Sequence, residues 1–196
     1  MTVVIRTATI ADLPQLESHV PETRPGRHAQ DLADQARGLR TYAVAWLSER
    51  PVGHGLIHWS GPRHPNGAEL LGPIPEIYRL EVQPKFQSIG IGTRLVAFLE
   101  SIVRDRGFDT TCLFVVRANV RARQLYLRLQ YSPANVPSFI DQRTWIDPSG
   151  RTHEEFEECE WFIKTLPTQD QLGRITPRNL DAINQHLLAD HAQTAR

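Results

Sequence analysis

The segment Leu80-Glu81-Val82-Gln83-Pro84-Lys85-Phe86-Gln87-Ser88-Ile89-Gly90-Ile91-Gly92-Thr93 runs from an alternating apolar strand, through a tight turn, into a helix opened by two glycines one residue apart. Glycine at such a turn lets successive N–H groups converge without a Cβ in the way and lets a ligand approach the main chain. The first N–H groups of the helix have no intrahelical acceptor, and the aligned peptide dipoles add roughly half a positive charge there. A strand–turn–helix built this way suits a pyrophosphate. A plain strand–helix turn, in which Gly90 and Gly92 only relieve crowding, is the alternative. No third glycine completes a dinucleotide fingerprint, and no Gly-Lys-Ser/Thr follows for a P-loop.

Upstream of this segment, 76–82 reads as a strand, preceded by a Pro-, Gly- and Asn-containing loop over 61–72. Before it, 41–47 and 52–59 form a hairpin about Ser48-Glu49-Arg50-Pro51. The N-terminal part predicts a strand over 2–7, a short helix over 11–19 with Asp12 near its start, and a polar helix over 27–37 stopped by Gly38. Downstream, Leu95, Val96, Leu99, Ile102 and Val103 repeat at helical spacing over 92–106. The near-continuous apolar run 110–116 predicts a strand covered on both faces. A helix follows over 119–129, then a turn at Asp147-Pro148-Ser149-Gly150 and a last strand over 158–166. Beyond a linker, Thr176-Pro177 opens a helix to about His191 with Leu180, Ile183, Leu187 and Leu188 on one face. Such a helix must dock on its own domain or on a partner, which allows a homodimer. The predicted class is α/β (α+β), a mixed sheet flanked by helices, with a domain over 1–166 and a linker plus helix over 167–196.

The 196 residues suffice for one domain with an appendage. Lys plus Arg equals Asp plus Glu at 22 each, so the net charge is zero, against reliance on long nucleic acid. No apolar run approaches the roughly 20 residues that span a bilayer, and the N-terminus is charged too early for a signal peptide. Cys112 and Cys159 read as reduced, buried thiols, and the dispersed histidines argue against a metal. A cytoplasmic protein, not associated with membranes, is the expectation.

Two blocks carry a family resemblance. Val82-x-Pro84 followed by Gln87-x-x-Gly90-x-Gly92 resembles the cofactor signature of the GNAT superfamily of acyl-CoA N-acyltransferases. Asn119-x-x-Ala122-x-x-Leu125-Tyr126 is similar to that family's helix beside the pantetheine arm. They stand at the family's separation, with a helix and a strand between, and the resemblance covers residues 1 to about 166. One departure is Gln130-Tyr131 where the family often has Gly-Phe. A non-glycine residue at a left-handed helix cap costs about 1 kcal/mol.

The resemblance implies a single-domain, mostly antiparallel sheet with helices on both sides. It implies an N-acetyltransferase that moves an acetyl group from acetyl-CoA to a primary amine in a ternary complex, with a small-molecule amine as acceptor. Main chain from Gln87 through Ser88, Ile89, Gly90, Ile91 and Gly92 to Thr93 would hold the pyrophosphate, and Asn119 would lie beside the cofactor. Leu80 and Val82 would pair with pantetheine, Val82 N–H polarising the thioester carbonyl. Tyr126 matches the tyrosine that protonates the leaving thiolate and lies near the cofactor; a packed aromatic is the alternative. Glu76 matches a glutamate that serves as base in part of the family, and shares a face with Leu80 and Val82 if the strand has no bulge. Glu81, facing the other way, His54 and His58 are weaker candidates. The acidic run 154–158 suits a cationic acceptor or a solvated loop. Rival readings are an acyl-CoA-sensing module without turnover, an acetyltransferase acting on a protein amine, and a nucleotide-binding protein.

Overall fold

The computed structural model describes residues 2–20, 25–146 and 150–167. The chain divides into two units, Met1–Thr165 and Leu166–Arg196. The C-terminal helix expected over 176–191 lies outside the described residues.

Strand β1 (Val3–Thr7) leads through a 3-10 turn (Ile10–Asp12) into α1 (Leu13–His19) and α2 (Arg27–Ala36). Then come β2 (Arg40–Leu47), β3 (Arg50–His58), α3 (Pro65–Leu71), β4 (Glu76–Val82) and α4 (Ile91–Asp105). β5 (Thr110–Val116), α5 (Val120–Arg128), β6 (Ser132–Pro133), β7 (Phe139–Ile146) and β8 (Thr152–Thr165) complete the described part. The sheet runs β1-β2-β3-β4-β5-β8-β6, with β7 paired to β8. β4–β5 is its parallel pair; the other pairings are antiparallel. The class expected from the sequence is the class observed.

β2 and β3 are buried almost throughout because helices cover both their faces. On one face Leu16 of α1 and Leu32 of α2 pack with Tyr42, Val44, Leu56 and Tyr78. On the other lie Leu95 and Leu99 of α4, both fully buried. Among the elements that depart from expectation are α3, β7, for which no strand was expected, and the start of β8. The loop expected over 61–72 contains α3, which starts with Pro65 behind a His64 cap whose Nδ1 accepts from Asn66 N–H at 3.3 Å. The last strand begins at Thr152, not near 158, so the acidic run lies within β8, held against β7 by pairs such as Glu155↔Arg143.

The decisive irregularity is in β4. Leu56 pairs with Tyr78 but His54 pairs with Glu81, so Arg79 and Leu80 together face Gly55. This is a bulge, and Arg79 adopts φ 48° to make it. The strained backbone is held by an ion pair from Arg79 to the buried Asp31 of α2, which also binds Arg40. The bare Gly55 makes room: a Cβ there would stand 3.0 Å from both Leu80 Cδ1 and Leu99 Cδ1. The extra residue reverses the alternation. Glu76, Tyr78 and Glu81 share the face of His54 and Leu56, while Leu80 and Val82 turn toward α4. The expectation that Glu76 points with Leu80 and Val82 is therefore corrected.

Helix α5 ends in the left-handed manner that its sequence makes costly. Gln130 takes φ 66°, its N–H bonds the Leu127 carbonyl at 2.9 Å and Tyr131 N–H reaches the Tyr126 carbonyl at 3.0 Å. That bond pair is a Schellman cap, normally a glycine position. Gln130→Gly should therefore stabilise the protein by about 0.5–1 kcal/mol, the relief of strain being partly offset by the freer unfolded chain. The check is a urea titration: a raised midpoint at unchanged slope is expected, and an unchanged or lowered midpoint contradicts the cap geometry.

Candidate functional site

β4 and β5 pair at one register position, Glu76↔Cys112, and do not continue together. The C-terminal half of β4 thus has one edge on β3 and the other open. Gln83 N–H donates to the Val52 carbonyl at 2.9 Å. Because successive N–H groups of a strand point to opposite edges, Val82 N–H points to the open one.

Beyond Val82 the chain makes one 3-10 turn over Pro84–Phe86, and Ser88 and Gly90 both take positive φ, 64° and 86°. Gly90 caps α4, and the first helical bond comes from Arg94 N–H to its carbonyl at 3.1 Å. The N–H groups of Ile91, Gly92 and Thr93 precede that ladder. No heavy atom lies within 4 Å of where a Cβ on Gly90 would stand, so the space before the loop is open to a ligand.

A groove of about 600 Å³ runs along these amides. Of the residues predicted to touch a cofactor, Leu80, Val82, Gln87, Ser88, Gly90, Ile91, Gly92, Thr93 and Asn119 line it. Ile89 and Tyr126 are not in its wall. Ile89 is exposed, and Tyr126 is buried against Val96, Leu113, Val115, Tyr131 and Phe162. Asn119 also caps α5, its Oδ1 accepting from Ala122 N–H at 3.0 Å. Gln87 ties the loop to the strand, donating from Nε2 to the Val82 carbonyl at 2.8 Å.

Sequence reasoning missed two cations in the groove wall, Arg121 and Arg128. Arg121 reaches across from α5 to Gln87 Oε1 at 2.6 Å and Ser88 Oγ at 3.0 Å. Arg121, Leu125 and Arg128 stand at i, i+4 and i+7, a face of α5 adjoining the apolar one. That spacing was the available signal.

A second cavity of about 360 Å³ adjoins the same strand end and includes His54, Glu81 and Val20 in its wall. Leu80, Val82 and Gln87 belong to both walls. Glu76 is not in either. It is fully buried, and its carboxylate accepts from Arg63 N–H at 2.7 Å and from the Arg63 guanidinium at 3.2 and 3.3 Å. That guanidinium lies 3.8 Å over the Tyr78 ring. His58 is tied to the Gly61 carbonyl at 2.7 Å, away from both cavities.

Two groups have distinctive protonation. Burial pushes the Tyr126 phenol up to about 12, beyond the ordinary value of about 10 at which a tyrosine already keeps its proton at neutral pH. Burial, with Arg79, His28 and Arg27 nearby, holds His54 down to about 3, so its imidazole is neutral.

Residues 7–131 match the acetyltransferase (GNAT) family. The chain is similar to a mycothiol acetyltransferase of Stackebrandtia nassauensis, 38% identical over 82 residues, covering 41% of this chain and 26% of that protein. A second, from Thermobispora bispora, is 32% identical over 87 residues, covering 44% and 29%. The chain thus spans between a quarter and a third of the length of these curated relatives. Among solved structures, its fold is similar to a ribosomal-protein-alanine N-acetyltransferase from Brucella melitensis, with TM-score 0.60, 20% identity, and 83% and 99% of the two chains covered. It is likewise similar to Arabidopsis thaliana NAA60 in complex with acetyl-CoA, with TM-score 0.61, 15% identity, and coverage of 84% and 98%.

The His54 shift predicts a pH dependence of stability. Its folded value lies below the ordinary 6.5, at about 3, so between those values the unfolded chain binds more protons. Stability from this group is then complete above about 6.5 and falls as pH drops toward 3. Urea midpoints of wild type and His54→Gln between pH 7 and 4 check this. The wild type should lose more stability over that interval; parallel losses would contradict a buried neutral imidazole.

Proposed function

The chain belongs to the acetyltransferase (GNAT) family, and on that premise we propose that it transfers an acetyl group from acetyl-CoA to the primary amine of a small molecule, directly, within a ternary complex. The observation that carries this reading is the pair of cavities that share Leu80, Val82 and Gln87. A donor in the groove and an amine in the smaller cavity would meet at the open edge of β4. The smaller cavity's volume of about 360 Å³ favours a compact acceptor over a folded protein's terminus.

Acetyl-CoA supplies an activated thioester carbonyl. The fit of the groove rests on its chemistry: amides of Ile91 to Thr93 and the guanidinium groups of Arg121 and Arg128 suit phosphates. The open edge from Leu80 to Val82 suits the amides of pantetheine, added as an extra strand. Val82 N–H, aimed out of the sheet at that edge, is the donor for oxygen charge. Tyr126 follows the groove-lining Leu125 on α5, and we assign it as the acid that returns a proton to the departing sulfur, a role that requires its buried phenol to turn toward the groove.

An ammonium must lose a proton before it can attack. Glu76, clasped by Arg63 on the far side of the bulge, secures the junction of β4 and β5. Glu81, in the wall of the smaller cavity, is the carboxylate we assign to the amine and its proton. Substrate positioning supplies much of the acceleration, and the acid and base about 10²–10⁴-fold each.

Titration calorimetry with coenzyme A tests the donor half. Wild type should bind, and Gly90→Asp should lose binding while its thermal unfolding stays cooperative. Transfer assays over an amine panel test the chemistry. Tyr126→Phe should lower kcat by about 10²-fold or more with coenzyme A affinity within twofold of wild type. Binding without turnover on any amine would favour an acyl-CoA-sensing module, and thermal shifts with ATP or NAD but not coenzyme A would sink the reading.

A further inference from the structure

A chain of hydrogen bonds along the groove wall joins α5, the glycine loop and β4. Arg121 donates to Gln87 Oε1 at 2.6 Å, and Gln87 Nε2 donates to the Val82 carbonyl at 2.8 Å. The orientation of the Gln87 amide is forced, because a guanidinium only donates and a carbonyl only accepts. A glutamate at this position would have no proton to give the carbonyl, and a lysine or arginine would have no lone pair for Arg121. Among the described residues no Asp or Glu lines the groove, so the charge of the guanidinium is not cancelled within it.

The position of the carbonyl that Gln87 takes gives this chain its consequence. The N–H and C=O of one strand residue point to the same edge, and successive residues alternate between edges. The Glu81 carbonyl faces β3, 2.9 Å from where a Cβ on Gly53 would stand, and Gln83 N–H bonds Val52 on that side. Val82 therefore turns both its N–H and its carbonyl to the opening. Left bare, that carbonyl would set its negative end beside the N–H and oppose any charge building on a ligand oxygen there. Gln87 covers it, and hydrogen bonds in series with a cation polarise one another in the same sense.

We propose that Gln87 is a positioning residue for acyl transfer: with Arg121 behind it, its side chain neutralises the Val82 carbonyl, so that the open edge of β4 ends in a hydrogen-bond donor. This rests on the acetyltransferase reading above, in which Val82 N–H meets the thioester oxygen. Gln87 itself touches neither the reacting carbon nor the sulfur and acts through Val82.

The test needs no amine and uses acetyl-CoA labelled with ¹³C at the thioester carbonyl. Isotope-edited infrared spectra of the saturated complex read the polarisation of that carbonyl as a stretching frequency below that of the free thioester. Wild type should show the lowering. Gln87→Met, which fills similar space without either bond, should lose about half of it or more, with coenzyme A affinity by calorimetry within about threefold of wild type. Gln87→Glu, which still accepts from Arg121 but cannot donate to the carbonyl, should lose at least as much, and it carries the test should the first variant unfold. A residue that only braces the loop would lower the unfolding temperature and leave the bound frequency alone. A residue that only holds phosphate would weaken coenzyme A binding, again with the frequency unchanged. Either result overturns the inference, as does a wild-type complex whose thioester carbonyl is not polarised. Should the wild type fail to bind coenzyme A at all, the acetyltransferase reading itself falls, a result visible before any variant is made.

Discussion

Strands β4 and β5 start side by side and then part, and the rest of the site depends on that parting. They pair at Glu76 and Cys112, where Cys112 N–H and the Thr111 hydroxyl both bond the Pro75 carbonyl. Arg63 clamps Glu76 at the same junction. Past it, each strand goes its own way: β5 pairs with β8 along its whole length, and β4 stays with β3. A strand edge left open inside a sheet is an unmet hydrogen-bonding demand, and this one lies beside the amides at the mouth of α4. The geometry that leaves main-chain groups unpaired is the geometry that lets an extended, amide-bearing ligand pair with them.

The bulge at Arg79 and Leu80 sets which side chains meet that ligand. Without it, Glu76 and Val82 would look the same way. With it, Val82 turns toward α4 while Glu81 and His54 share the opposite face, so the two cavities lie around one strand end. A left-handed arginine is costly, of order 1–3 kcal/mol, and its ion pair with Asp31 needs desolvation of both charges. Asp31 offsets this by serving Arg40 as well, linking α2, β2 and β4 through a single carboxylate.

Much of this was legible in the residues. The strand–turn–helix about Gly90, the apolar spacing of α4 and the run at β5 each depend on near neighbours, and each was read correctly. The bulge was not, because it rests on Gly55 and on an ion pair to a residue far upstream. α3 lay hidden in a segment rich in Pro and Gly, since a seven-residue helix carries too little periodicity to stand out. The β7–β8 hairpin was obscured by the acidic run 154–158, whose charges mask the alternation of a strand. Among the cavity-lining residues, those of the glycine loop stand close together in sequence, whereas the placement of Arg121 and Glu81 depends on which elements come together.

The central claim is that the opening between β4 and β5, with the amides at the mouth of α4, holds the acyl donor. A crystal structure of the protein soaked with coenzyme A tests it most directly. The account predicts the diphosphate on the N–H groups of Ile91 to Thr93 and the pantetheine arm paired with Leu80 to Val82. A diphosphate bound elsewhere, or β5 zipped onto β4 through Val82 in the complex, would contradict it.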